Sequence, residues 1–163
     1  MPPRARLLVY LLSSGVAGCA APLFPSRVDL APLQAKLTAS GGDRARILRP
    51  SSWEDLTALE VGRRYKLVVA RDGRLAIAPL PADAPDNAYV HPILGDGRPV
   101  RTAGAITRRP NDTFEVDQDS KSYCPTYASL DAAVEALVRL GVPRARITRS
   151  DRPPACVAPP SSR

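Results

Sequence analysis

The chain is poor in the residues from which most catalytic and metal centres are assembled, with one histidine, His91, and three cysteines in 163 residues. Two histidines four residues apart, an HExxH run and a CxxC pair are all missing, so no metal-ligand spacing is recognisable and no metal or cofactor is expected. Any Ser–His or Cys–His nucleophile set would have to use His91, which Pro92 follows directly. Aromatics make up 5% of the chain. No apolar run approaches the roughly 20 residues that a membrane-spanning helix needs. Lysine is scarce too: Lys36, Lys66 and Lys121 stand against 20 arginines.

What is present fits one modest domain. Hydrophobic residues reach 44%, enough for a single core, and this size excludes a large multidomain enzyme. The 18 prolines imply much loop and extended chain. The formal charge is +7, but the arginines are spread along the whole chain and not interleaved with aromatics, which describes a solvated basic surface. No nucleic-acid partner is expected.

The N-terminus reads as an export signal over residues 1–18. Arg4 and Arg6 form the positive segment, and the apolar run that opens at Leu7 follows it. Val16-Ala17-Gly18-Cys19 then resembles the lipobox of bacterial lipoproteins. That resemblance implies cleavage before Cys19, attachment of diacylglycerol to its thiol and acylation of the new amino terminus. Several acyl chains hold a protein on a bilayer where one chain is marginal. Loss of Arg4 and Arg6 leaves the mature chain at +5. Ala20 and Ala21 follow the cysteine without an acidic residue, which in the enterobacterial form of the class implies the outer membrane, periplasmic face. A bilayer is therefore one expected partner, and an envelope protein or cell-envelope polymer the other.

Residues 19–27, with Pro22 and Pro25, read as a tether, residues 28–149 as one α+β domain and residues 150–163 as a Pro-rich tail without fixed structure. Short helices are expected over 28–37, with Asp29 as cap, and after Ser52, whose spacing to Asp55 matches a capping box. Tyr65–Ala70 and Arg74–Ala78 flank Arg71-Asp72-Gly73, the strongest hairpin signal in the chain. Residues 79–88 read as an exposed loop. Further strands are expected at Tyr89–Leu94, Pro99–Thr107, Thr113–Asp117 and 146–149. The amphipathic run 130–140 follows Ser129 as cap and ends at Gly141. The expected architecture is an antiparallel sheet of five or six strands with the 130–140 helix covering one face.

Two cysteines remain beyond Cys19, and in an oxidising compartment an even remainder reads most simply as a disulfide, Cys124 with Cys156. Reactive or unpaired thiols are the alternatives. His91 reads either as a packing histidine or as a functional one, and Asp119, Lys121 and Tyr123 sit in the densest polar segment, Asp117–Tyr127. These four residues are the candidate functional surface. No catalytic residue is assigned.

Residues 89–140 resemble a small domain of bacterial effectors and toxin-associated proteins. That domain has a His heading a strand, an Ala-Gly pair in the next, and Ser-Gly-His-Tyr-x-Pro before an amphipathic helix. His91, Ala103-Gly104, Ser120, Tyr123 and Pro125 match. Lys121 and Ser122 replace the Gly and second His, so chemistry needing two histidines does not carry over. The leading expectation is a membrane-anchored envelope lipoprotein with a non-catalytic binding or structural role. A small hydrolase or transferase built on His91, and a toxin-associated or immunity module, are the alternatives. A catalytic role requires His91 in a concave site beside a second polar group, whereas a protein-binding role predicts an exposed apolar patch.

Overall fold

A computed structural model of the chain describes residues 22–39, 44–80 and 90–156. The expected signal peptide, Cys19, most of the 79–88 loop and the last seven residues of the tail lie outside the described residues. The elements in chain order are α1 (Leu30–Ala39), α2 (Trp53–Leu56), β1 (Arg64–Ala70), β2 (Leu75–Pro79), α3 (His91–Leu94), β3 (Val100–Arg109), β4 (Thr113–Asp117), α4 (Leu130–Arg139) and β5 (Ile147–Ser150). The fold is α+β around one five-stranded sheet of order β2-β1-β3-β4-β5.

The β1–β2 hairpin forms where Asp-Gly permits it. Gly73 has φ 86°, the Asp72 side chain accepts from the Arg74 N–H at 3.0 Å, and Ala70 and Arg74 close the turn at 2.9 Å. β1 also pairs antiparallel with β3, and β3 with β4. β5 departs from the expected antiparallel arrangement and runs parallel to β4, with Phe114 opposite Ile147. The physical reason is the connection: the chain leaves β4, crosses through α4 and re-enters from the same end, which a parallel pair requires. The sheet is mixed.

Residues 91–94, expected within a strand, form the single helical turn α3. Pro92 lies in its first turn, where a missing N–H costs nothing and a fixed φ favours helix. All four side chains are buried rather than alternating. Gly95-Asp96-Gly97 closes the turn, with Gly97 N–H donating to the Pro92 carbonyl at 2.9 Å.

Both faces of the sheet are covered, not one. Tyr65, Leu67 and Val69 of β1 point to a core shared with Leu130, Ala133 and Leu137 of α4 and Leu56 of α2. Alternate residues point the other way, and Val68 joins Leu37 of α1, Ile93 and Leu94 of α3, and Tyr123. α4 ends in a Schellman arrangement: Gly141 at φ 99° donates to Val138, and Val142 to Leu137 at 3.1 Å. Ser129 does not cap α4. It has helical φ and ψ in a 3₁₀ turn that runs straight into the helix, and its hydroxyl bonds the Thr126 carbonyl and the Thr102 hydroxyl.

The two chain ends are less free than their prolines suggest. Phe24 and Val100 exchange both backbone hydrogen bonds, and Arg27 donates to the Ser122 carbonyl, so residues 24–27 of the expected tether lie on the domain. Phe24 has apolar contacts to bury there, which is what overrides the prolines. At the other end, Gln118 bonds Asp151 at 2.6 Å and the Arg152 N–H at 3.2 Å. The Cys124–Cys156 disulfide, with Cα atoms 5.4 Å apart, holds the segment that follows.

Candidate functional site

β1 carries one charged residue between apolar neighbours, Lys66 in Tyr-Lys-Leu-Val-Val. Strand alternation puts it on the face covered by α1 and α3. Its partners in the sheet are Ala78 on β2 and Ala105 on β3, and the small Ala105 leaves room beside it. A cavity of about 240 Å³ opens there, lined by Lys66, Arg64, His91, Asp119, Lys121 and Ser122 with the backbone of Gly104.

Lys66 is only 5% exposed, and among the described residues it has no hydrogen-bond or ion-pair partner. Burial pushes its ammonium down to about 7, against the opposing pull of the Asp119 carboxylate. A lysine this buried with no protein partner is costly to the fold, because its charge is left with only the solvent of the cavity.

His91, at the start of α3, is 7% exposed. Its Nε2 lies 2.7 Å from the Gly104 carbonyl oxygen. A carbonyl only accepts, so this nitrogen carries the proton and Nδ1 is the bare one. Burial, followed by the Lys66 charge, pushes the imidazole down to about 4 and keeps it neutral. No serine hydroxyl or thiol is hydrogen-bonded to it among the described residues.

The acidic side of the cavity is held by a fork. Arg64 meets Asp117 at 2.8 and 2.9 Å and reaches Asp119 at 3.1 Å. Burial works against the guanidinium charge, but the bonds and charges of the two carboxylates outweigh it. Asp117 also accepts from the Asp119 N–H at 3.0 Å, which sets the backbone after β4 and holds Asp119 at the cavity wall. Lys121 is exposed at the rim without an ion-pair partner among the described residues.

Three of the four residues singled out from the sequence, His91, Asp119 and Lys121, thus share one cavity. Tyr123 does not belong to it or to the surface. It is 1% exposed within the core under α1 and α3, its hydroxyl donates to the Arg98 carbonyl at 3.1 Å, and burial pushes its pKa up. Two functional candidates, Arg64 and Lys66, were missed. The available signal was a lone lysine among the apolar residues of one strand, Tyr65–Ala70.

Among the described residues no cluster of three potential metal ligands occurs, and no helix is long and apolar enough to cross a membrane. Among the described residues the exposed large apolar side chains, Val61, Tyr127 and Val138, sit on three different parts of the chain. Compared with protein-family models, curated proteins and solved structures, the chain matches none.

Proposed function

We propose that the protein is a lipid-anchored envelope lipoprotein whose α+β domain is a non-catalytic binding module, with the Lys66 cavity as its ligand site. The observation that carries the binding role is Lys66 itself. Replacing a buried, unpartnered lysine by an apolar residue removes a desolvation cost, so a ligand group that meets the ammonium or its free amine gives the residue a purpose that folding does not. Lys121 and Arg64 add positive charge around the same space, and Asp119 partly offsets it, which favours a ligand carrying an acidic group. Cys19 supplies the anchor, and residues 20–23 separate it from the first residue bonded into the sheet, Phe24.

Two measurements test this reading. In membranes of a cell that exports the protein, mass spectrometry of the mature form is expected to find an acylated Cys19 as its first residue, and Cys19→Ser to abolish processing there. An intact chain retaining Met1 overturns the anchor. For the cavity, small carboxylic acids at millimolar concentration are expected to raise the thermal midpoint of the wild type and not of Lys66→Met. Equal shifts in both proteins, or none in either, overturn the ligand site.

A further inference from the structure

The cavity presents an amine rather than only a charge. We propose that Lys66 captures a small 2-oxo carboxylic acid as a reversible imine, the ligand's carboxylate lying against Lys121 and Arg64; this rests on the reading of the cavity as a ligand site. Geometry is the first support. Lys66 is nearly fully buried, lines an open cavity and spends none of its donors on the protein. Its neighbour on β3, Ala105, lines the same cavity and is small, so the ligand's carbonyl carbon has room to approach the Nζ. The second support is protonation. With its ammonium pushed down to about 7, a large share of Lys66 is free amine at neutral pH, the state in which an amine is a nucleophile.

The step needs no co-reactant. The Lys66 nitrogen lone pair forms a bond to the carbonyl carbon while the carbonyl π pair moves to oxygen, which takes up a proton as the nitrogen releases one. The resulting carbinolamine loses its hydroxyl, protonated on leaving, as water while the nitrogen lone pair forms the C=N bond, and the iminium nitrogen then gives up its remaining proton, replacing the one the water took. One amine and one ketone give one imine and one water, with no change in oxidation state. Asp119, which lines the cavity and whose charge acts on Lys66, is the carboxylate that passes protons between nitrogen and departing oxygen. His91 is held neutral by its buried position and adds no competing cation. Water reverses the sequence, so the capture is stoichiometric and reversible.

The carboxylate requirement comes from the charge left behind. Once Lys66 is a neutral imine, Lys121 at the rim still lacks a counter-charge, while Arg64 is shared between Asp117 and Asp119. An acid group beside the captured carbonyl meets Lys121 directly. A neutral aldehyde or ketone leaves it unmet.

The test uses the full-length protein in detergent, incubated with pyruvate or glyoxylate and reduced with cyanoborohydride, then mapped by peptide mass spectrometry. The chain's lysines, Lys36, Lys66 and Lys121, fall in separable peptides. The expected result is a single carboxyalkyl adduct on Lys66, at least about ten-fold over the other two at neutral pH. It should be absent in Lys66→Arg. Lys121→Met, a rim substitution that leaves the core alone, should lower capture of pyruvate several-fold and leave capture of acetaldehyde unchanged. Equal labelling of the three lysines, or an unlabelled Lys66 in folded protein, overturns the proposal. Stabilisation by pyruvate without an adduct overturns the imine and leaves the binding reading standing. Neither adduct nor stabilisation overturns both.

Discussion

His91 Nε2 sits 2.7 Å from the carbonyl oxygen of Gly104, and this bond ties α3 to the middle of β3 at the back wall of the cavity. Any residue could supply that carbonyl, but only glycine fits there, since a Cβ at this position would fall 1.8 Å from the Asp117 carbonyl oxygen, a backbone atom that has nowhere to move. Gly104→Ala is therefore expected to destabilise by about 3 kcal/mol or more, the upper end for overpacking, and to distort the cavity. Gly62→Ala is the control. Its φ of 81° makes it strained, but no atom lies within 4 Å of the added carbon, so a loss of about 1 kcal/mol is expected. Urea denaturation of the two variants checks the order, and equal losses would remove the steric argument.

Acid and alkaline stability should be governed by the two buried bases. Unfolded His91 takes up its proton near 6.5 and the folded residue only near 4. Between these values the unfolded state binds more protons, so stability falls as pH drops through that window, by about 3 kcal/mol at most. Lys66 acts in a higher window. Its folded value near 7 lies below the ordinary 10.5, so its stability contribution is complete above about 10.5 and declines as pH falls to 7. Lys66→Met should consequently stabilise the protein at pH 6, with an upper bound of about 5 kcal/mol, and the gain should vanish by pH 10.5. A gain independent of pH would show that packing, not charge burial, explains it.

Much of the sheet was legible because its signals are local. Arg71-Asp72-Gly73 specifies a tight turn by itself, and β3 and β4 are bounded by Gly97 and by the Pro110-Asn111-Asp112 turn, where Asn111 and Asp112 both have positive φ. What failed depended on distant contacts. The His91–Leu94 run has strand-like side chains, yet Pro92 and the need to cover Val68 and Ala76 made it a helical turn. Lys66 reads as an exposed residue of a one-sided sheet until α1 and α3 cover that face, and nothing near it in sequence announces them. The same covering buried Tyr123 and brought His91, Asp119 and Lys121 together from segments 28 to 30 residues apart. The parallel β5 follows from α4 crossing the sheet, which the strand's own residues do not encode.

Reducing the Cys124–Cys156 disulfide should loosen the segment after β5 first and then the whole domain. The bond closes a loop of 32 residues, for which chain entropy gives roughly 3–4 kcal/mol. Without it, residues 151–156 retain the bonds from Gln118 to Asp151 and Arg152. Cys156→Ser is expected to lower the unfolding free energy by that order and to expose the chain after Ser150 to proteases. Alkylation of denatured, unreduced protein should find neither Cys124 nor Cys156 free; labelling of either in exported material would refute the pairing.

Arg64 and Asp117 provide the sharpest separation between stability and ligand binding. The Asp117 side chain is 6% exposed, against 31% for Arg64, so removing the arginine strands a buried carboxylate whose remaining cation, Arg152, stands 3.8 Å away. Breaking a buried pair from one side costs about 3–5 kcal/mol; the partial exposure of Arg64 and the nearby Arg152 place Arg64→Met at the lower end. Asp117→Asn should cost less, because the amide keeps its bond to the Asp119 N–H or to Arg64 and leaves the half-exposed guanidinium with Asp119. The double variant Arg64→Met, Asp117→Asn removes the stranded charge and should recover part of the loss from Arg64→Met alone. A thermodynamic cycle on the four proteins measures this coupling, and additive losses would mean that the fork contributes no interaction energy. In the recovered double variant the cavity still holds Lys66 and Lys121 but has lost Arg64, so a remaining thermal shift with pyruvate assigns the acid group to Lys121, and its disappearance assigns it to Arg64.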